Sequence, residues 1–177
     1  MVASAEKHDC RKKCKTLQAT AHSPYHFVDS GLPNVYLIGI GYRVCTACGK
    51  QAADIPALED LMVKIARTVV QKEDVLSGAE IRFLRKRLGK KSAEFAKIIG
   101  VVPEQVTRWE KDDNSPAESA DKLIRVFYSL YSGDATLKNM VDAHISDWLT
   151  TLPGGEHATN IRAELRENEW AAKPVAA

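Results

Sequence analysis

Residues 77–111 read SGAEIRFLRKRLGKKSAEFAKIIGVVPEQVTRWEK, and their punctuation divides them into three short helices. Ser77, followed three residues later by Glu80, forms a capping box in which each side chain accepts from the other residue's backbone N–H. Leu76 and Ile81 occupy hydrophobic-staple positions around it. Ile81, Leu84 and Leu88 recur at helical spacing, so the first helix is expected over Gly78–Leu88 with one buried stripe. Gly89 supplies the left-handed exit that only glycine adopts cheaply. The second helix, Ser92–Ile99, is expected to bury Phe95, Ala96 and Ile99. Gly100 turns the chain, and Pro103 opens a third helix that buries Val106 and Trp109. Two short helices about a tight glycine turn, the second with a polar outer face, make a helix-turn-helix.

With Val106 and Trp109 inward, the third helix presents Glu104, Gln105, Thr107, Arg108 and Lys111 outward. Gln and Arg are the side chains suited to bidentate reading of adenine and guanine edges in the major groove. Lys90, Lys91 and Ser92, at the start of the second helix, are placed to hold phosphates with the help of that helix's N-terminal dipole. Over 78–111 there are nine Lys and Arg against four Asp and Glu. The flanking segments carry about +2 (1–77) and −5 (112–177), so the basic charge is concentrated where double-stranded DNA would need it.

The chain is 177 residues long, 45% hydrophobic and 27% charged, the composition of a globular protein with one large or two small domains. The N-terminus lacks the apolar core of a signal peptide, and no apolar run is long enough to span a bilayer, so a cytoplasmic protein without a membrane partner is expected. Nothing points to catalysis: there is no phosphate-cradling glycine loop and no nucleophile elbow.

All four cysteines lie in the first 50 residues, as Cys10 and Cys14 in CRKKC and Cys45 and Cys48 in CTAC. Between them a strand at Tyr25–Asp29, a turn, and a strand at Val35–Val44 are expected to fold as a hairpin that returns the second pair to the first. Converging cysteine pairs in a reducing compartment suit one tetrahedral structural Zn²⁺. This small segment is short of apolar side chains, so the metal would contribute much of its folding free energy. A redox dithiol at Cys45 and Cys48, and a mixed site using His8 or His26, are the rival readings.

Two resemblances rest on these residues. GKKSAEFAKIIGVVPEQVTRWEK resembles the Xre/Cro-type helix-turn-helix over about 77–131. That resemblance implies an ion pair of Glu110 with Arg85. It departs from the family at Ser92, where Gln is usual, and at Val102, an N-cap position where Ser would accept a backbone N–H. The order of parts over about 10–131, including DSGLPNVYLIGIGYRVCTACG, IPALEDLMVKIA and LSGAEIRFLRKRLG, is similar to the MqsA-type antitoxins, the YgiT-type zinc-finger and helix-turn-helix family. This implies a dimeric antitoxin whose zinc domain holds an RNA-cleaving toxin and whose other domain represses its own operon. Here the CRKKC spacing departs, since two residues between those cysteines are usual. Arg108 matches the family's DNA-reading Arg, whereas Glu104 stands where members can carry Asn, so a different operator is expected.

The expected fold is therefore α+β. It comprises a zinc-bound β-hairpin domain (1–55), a connecting helix and hinge (56–75), an all-α helix-turn-helix domain (76–132), C-terminal helices (133–170) and a frayed tail (171–177). In the connecting helix, Pro56–Lys72, the stripe Leu58, Leu61, Met62, Ile65 and Val69 either packs internally or faces a toxin or a second copy. Gln71–Val75 reads as a polar hinge. Ser115 to Glu118 reads as a second capping box, opening a helix Pro116–Tyr131 that buries Ala120, Leu123, Ile124 and Phe127. Ala135–Leu152 carries a wide apolar stripe with His144 and Trp148, suited either to the core or to a homodimer surface. A last helix is expected near Ala158–Trp170.

Overall fold

The computed structural model describes residues 14–151, 159–167 and 169–176, and it is mixed α and β as the sequence implies. Strands β1 (Cys14–Gln18), β2 (Tyr25–His26), β3 (Val35–Ile38), β4 (Gly41–Cys45) and β5 (Gln51–Ala53) come first. Helices α1 (Leu58–Gln71), α2 (Gly78–Arg87), α3 (Ser92–Ile99), α4 (Pro103–Glu110), α5 (Glu118–Tyr131) and α6 (Ala135–Thr151) follow, and β6 (Thr159–Arg166) and β7 (Glu169–Ala176) close the chain. Among the described residues no helix is long and apolar enough to cross a membrane.

The strand expected as one piece over Val35–Val44 is two strands in two sheets. Its front half, β3, pairs with β2 and belongs to the sheet β2-β3-β6-β7; its back half, β4, lies between β1 and β5. The break is at Gly39, whose φ is +84°, and a Cβ there would lie 2.6 Å from the Leu165 carbonyl oxygen. Only glycine combines that backbone with that approach.

The largest correction is at the C-terminus. Residues expected as a helix near Ala158–Trp170 with a frayed tail form the antiparallel β6–β7 hairpin instead, and β6 pairs in parallel with β3, Val35 opposite Ile161. The Ile161 N–H donates to the Asn34 carbonyl at 2.7 Å. Ile161 and Ala163 point to the core and Leu165 is half-buried, a two-residue alternation that outweighs the sparse helical pattern Ile161, Leu165 and Trp170. Pro174 is tolerated because β7 is an edge strand. The β layer of residues 14–55 is thus completed by the last 17 described positions, and α1 packs against β6 and β7.

That packing settles the α1 stripe: Leu61, Ile65 and Val69 are fully buried, while Leu58 is exposed. Trp170 is buried beside it, and its indole N–H donates to the Pro56 carbonyl at 2.9 Å. The segment read as a hinge is clamped. Arg125 of α5, 1% exposed, donates to the carbonyls of Val70 (2.9 Å), Lys72 (2.6 Å) and Asp74. It also pairs with Asp121 at 2.7 Å, and Asp121 in turn accepts from the Leu76 N–H at 2.8 Å. Lys72 pairs with buried Glu80 at 2.8 Å.

Helix α5 begins at Glu118 with Ala117 as its N-cap and no side-chain cap, so the expected Ser115–Glu118 capping box does not form. Its inward face is Asp121, Ile124, Arg125, Tyr128 and Ser129, and Leu123, expected inside, is 41% exposed. In α6, Leu137 and Val141 are buried and Ile145 is exposed; the side chains of His144, Trp148 and Leu149 lie outside the description.

Candidate functional site

Helices α2, α3 and α4 form with the ends that their residues specify. At the start of α2, Ser77 N–H donates to Glu80 at 2.7 Å, and Ser77 Oγ accepts from the Glu80 N–H. Gly78 brings α2 against the end of α4: its N–H donates to Asp112 at 2.7 Å, and a Cβ would sit 2.0 Å from the Trp109 carbonyl oxygen. Gly89 and Gly100 take φ of +64° and +80° to end α2 and α3. Helix α4 starts at Pro103 behind Val102, an N-cap without a side-chain hydrogen bond, so the proline alone organises that end.

The ion pair implied by the Xre/Cro resemblance is present. Arg85 grips Glu110 with two N–H groups, at 2.5 and 2.9 Å, and donates a third to the Lys90 carbonyl at 2.7 Å. Arg82 Nε lies 3.5 Å from the same carboxylate. This largely buried fork ties α2 to the end of α4 and to the loop entering α3, which fixes the angle at which α4 is presented.

On α4, Val106 and Trp109 are buried and Glu104, Thr107, Arg108 and Lys111 are exposed. Arg108 and Lys111 make no ion pair among the described residues. The Thr107 hydroxyl donates to the Pro103 carbonyl at 3.1 Å, so it offers an acceptor lone pair outward rather than its proton. Gln105 departs from expectation: it is half-buried and lines a cavity against α5. Lys91 is exposed as the N-cap of α3, its N–H held by Glu94 at 3.0 Å, and Lys90 is half-buried. The Ser92 Oγ is buried with no hydrogen-bond partner among the described residues. Ser92 therefore does not extend its hydroxyl outward from the start of α3. Glu59 with Arg87 at 2.5 Å joins α1 to α2 away from this face; there Arg87, chiefly through its hydrogen bond, holds the Glu59 carboxyl below its ordinary range.

The second cluster is of thiols. Cys14 stands opposite Cys45 across the β1–β4 ladder, so Cys14 meets the second pair through β1 and β4 rather than through the β2–β3 hairpin. Cys48 lies in the tight turn from β4 to β5, which is closed by Gly49 N–H to Cys45 O and Cys45 N–H to Lys50 O, both 2.8 Å. The Cys14 thiol is pushed above its ordinary value of 9.0 by desolvation first and then by the charge of Cys45, with Arg43 acting against it and Cys48 adding to it. Among the described residues no group of three or more His, Cys, Asp or Glu has the arrangement of a metal site, and Cys10 and His8 lie outside them. His26 is engaged elsewhere, with Nε2 2.7 Å from the Pro33 carbonyl and its ring stacked on Tyr36 at 4.9 Å.

Comparisons with protein-family models, curated proteins and solved structures found no match to this chain.

Proposed function

We propose that this protein is a sequence-specific DNA-binding repressor that reads an operator with α4. The observation that carries this reading is the outward set of α4 itself: Arg108, Lys111, Thr107 and Glu104 stand exposed on a helix locked by the Arg85–Glu110 fork. Arg108 is the base-reading group, suited to guanine. Lys91, at the entry to α3, with Lys90, supplies phosphate contacts. Gln105 contributes at the edge of the face, since it is half-buried. A homodimer follows from the two half-sites that such helices usually read, and exposed Leu130, Tyr131 and Ile145 on α5 and α6 offer apolar surface for it.

The antitoxin half of the proposal, a zinc domain that holds a toxin, rests on the resemblance of residues 10–131 to the MqsA-type family. Cys10, Cys14, Cys45 and Cys48 are the residues that would hold one Zn²⁺, and its chemistry there is structural, since four thiolates leave no open position. The alternatives are a stand-alone regulator, favoured if no toxin is encoded nearby, and a protein-interaction module in which DNA binding is secondary.

Fragments flanking the gene, titrated with the protein, test the DNA reading. Arg108→Ala is expected to lose roughly 1–3 kcal/mol on the cognate fragment and to relax preference at one base pair. Lys90 and Lys91 changed together to Ala are expected to weaken all DNA and to flatten the salt slope. Equal losses for Arg108→Ala on cognate and random DNA would make Arg108 a phosphate contact and remove it as the reader. For the toxin, the neighbouring reading frame is induced alone and then with this protein; rescue of arrested growth supports an antitoxin, and a harmless neighbour leaves the stand-alone repressor.

A further inference from the structure

Opposite residues of an antiparallel ladder alternate between hydrogen-bonded and non-hydrogen-bonded pairs, and the second kind brings side chains closer. Cys14 is directly opposite Cys45. The Cys45 N–H donates to the Lys50 carbonyl, and the Cys45 carbonyl accepts from the Gly49 N–H, both at 2.8 Å. Both backbone groups of Cys45 are thus turned to the β5 side, and neither is left for β1. The far end of the ladder agrees. The Ala19 N–H donates to the Ile40 carbonyl at 2.8 Å, so the bonded positions of β1 fall at every second residue before Ala19, on Leu17 and Lys15 and not on Cys14. Cys14 and Cys45 are therefore a non-hydrogen-bonded pair. The Cα atoms of such a pair stand about 4.5 Å apart, inside the roughly 4.4–6.8 Å span of disulfides. The two thiols are already in hydrogen-bonding contact.

Access separates their roles. Cys14 is exposed, whereas Cys45 is 2% exposed. Arg11, Lys12, Lys13 and Lys15 flank Cys14 in sequence, and Arg43 is near enough for its charge to act on the thiol. An exposed thiol among cations is the one that an anionic oxidant meets first. Cys48 is exposed too, but it lies in the turn from β4 to β5, where no strand register sets it opposite another sulfur.

We propose that Cys14 and Cys45 are a reversible cross-strand disulfide site, oxidised through Cys14 by a small anionic disulfide of the glutathione class. Cys14 gives up its proton and attacks one sulfur of the oxidant, and the other sulfur leaves as a thiolate. Cys45 then gives up its proton and attacks the Cys14 sulfur, which expels the second small thiolate. Two protein thiols become one disulfide, the oxidant is reduced to two thiols, and these take up the two protons. The bond would staple β1, exposed along its whole length, to β4. It would use two of the four sulfurs proposed for Zn²⁺, so metal and disulfide exclude each other. The inference rests on strand register and not on the metal reading.

The test holds the full chain, as purified, in mixtures of reduced and oxidised glutathione of rising oxidant share. Samples are quenched in acid, blocked with N-ethylmaleimide and mapped without reduction by mass spectrometry, with fragmentation to assign each sulfur. The expected result is one dominant product, a Cys14 peptide joined to a Cys45 peptide with the loss of two hydrogens, which dithiothreitol reverses. Early samples are expected to carry the glutathione adduct on Cys14. Cys48→Ser, at an exposed position, removes the rival sulfur and is expected to keep the product. In strong urea the register is gone, and the product is expected to give way to a mixture of pairs. A dominant link of Cys45 to Cys48 or of Cys10 to Cys14 would overturn the proposal. So would no Cys14–Cys45 link at the highest oxidant share, its loss in Cys48→Ser, or a native yield no greater than the yield in urea.

Discussion

Gly78 carries a constraint out of proportion to its size. It has no side chain, yet α2 and α4 can meet only because nothing projects from it: the position a Cβ would take is 2.0 Å from the Trp109 carbonyl oxygen and 2.7 Å from Asp112 Oδ1. Gly78→Ala is therefore expected to cost about 3 kcal/mol, the upper range for overpacking, because the obstacle is backbone and cannot rotate away. A lowered urea midpoint with an unchanged slope checks it. Asp134 is the second residue that decides locally. It pairs with Arg67 through two hydrogen bonds, at 2.8 and 3.0 Å, and accepts from the Thr136 and Leu137 N–H groups to cap α6. Burial alone would raise its carboxyl, but Arg67 and the two N–H groups outweigh it and hold the carboxyl below its ordinary 3.8. A depressed value in the folded state gives stability that is whole above about pH 4 and is lost as pH falls through the folded value. Asp134→Ala is expected to cost roughly 1–2 kcal/mol at pH 7, discounted for the partly exposed arginine. The difference from wild type should shrink only below about pH 4 in thermal melts across pH.

At the scale of elements, α5 is the helix whose sequence misleads. Its aliphatic residues suggest an inward Leu123, yet the buried face carries Asp121, Arg125 and Ser129. The reason lies outside the helix. The end of α1 and the segment after it present carbonyls at Val70, Lys72 and Asp74, and only a long multivalent donor reaches all three. Arg125→Met is expected to cost about 3–5 kcal/mol because it strands Asp121 as well as the carbonyls. A double-mutant cycle with Asp121→Asn should be strongly non-additive; additive losses would mean that the two act separately. By contrast, α2, α3 and α4 were legible. Their ends are set by Ser77, Glu80, Gly89, Gly100 and Pro103, each acting within a few residues of itself, and their buried stripes follow the helical period. The exposed α4 residues were legible for the same reason, except Gln105, which is half-buried beside the cavity against α5.

For the whole molecule, the return of the chain's end to its beginning sets the architecture. The β6–β7 hairpin continues the sheet past β3 and covers α1 with Trp170. Deletion of residues 159–177 is expected to strip hydrogen-exchange protection from Val35–Ile38 and Leu58–Gln71 while Ser92–Ile99 keeps most of its own. Full retention of protection in β3 and α1 would make the hairpin an appendage. The thiol cluster belongs to this scale too, because Cys14 meets Cys45 only through the register of β1 on β4. What the sequence by itself determined is whatever is settled within one or two turns of chain: the capping box, the glycine exits, the three helices of the basic segment and the polar face of α4. What only the tertiary structure decided is the strand fate of residues 159–176, the break at Gly39 and the orientation of α5. Each of these depends on groups remote in sequence, the Asn34 carbonyl that accepts from Ile161, the Leu165 carbonyl that closes against Gly39, and the carbonyls at and after the end of α1 for Arg125, and local pattern carries no record of such distant groups.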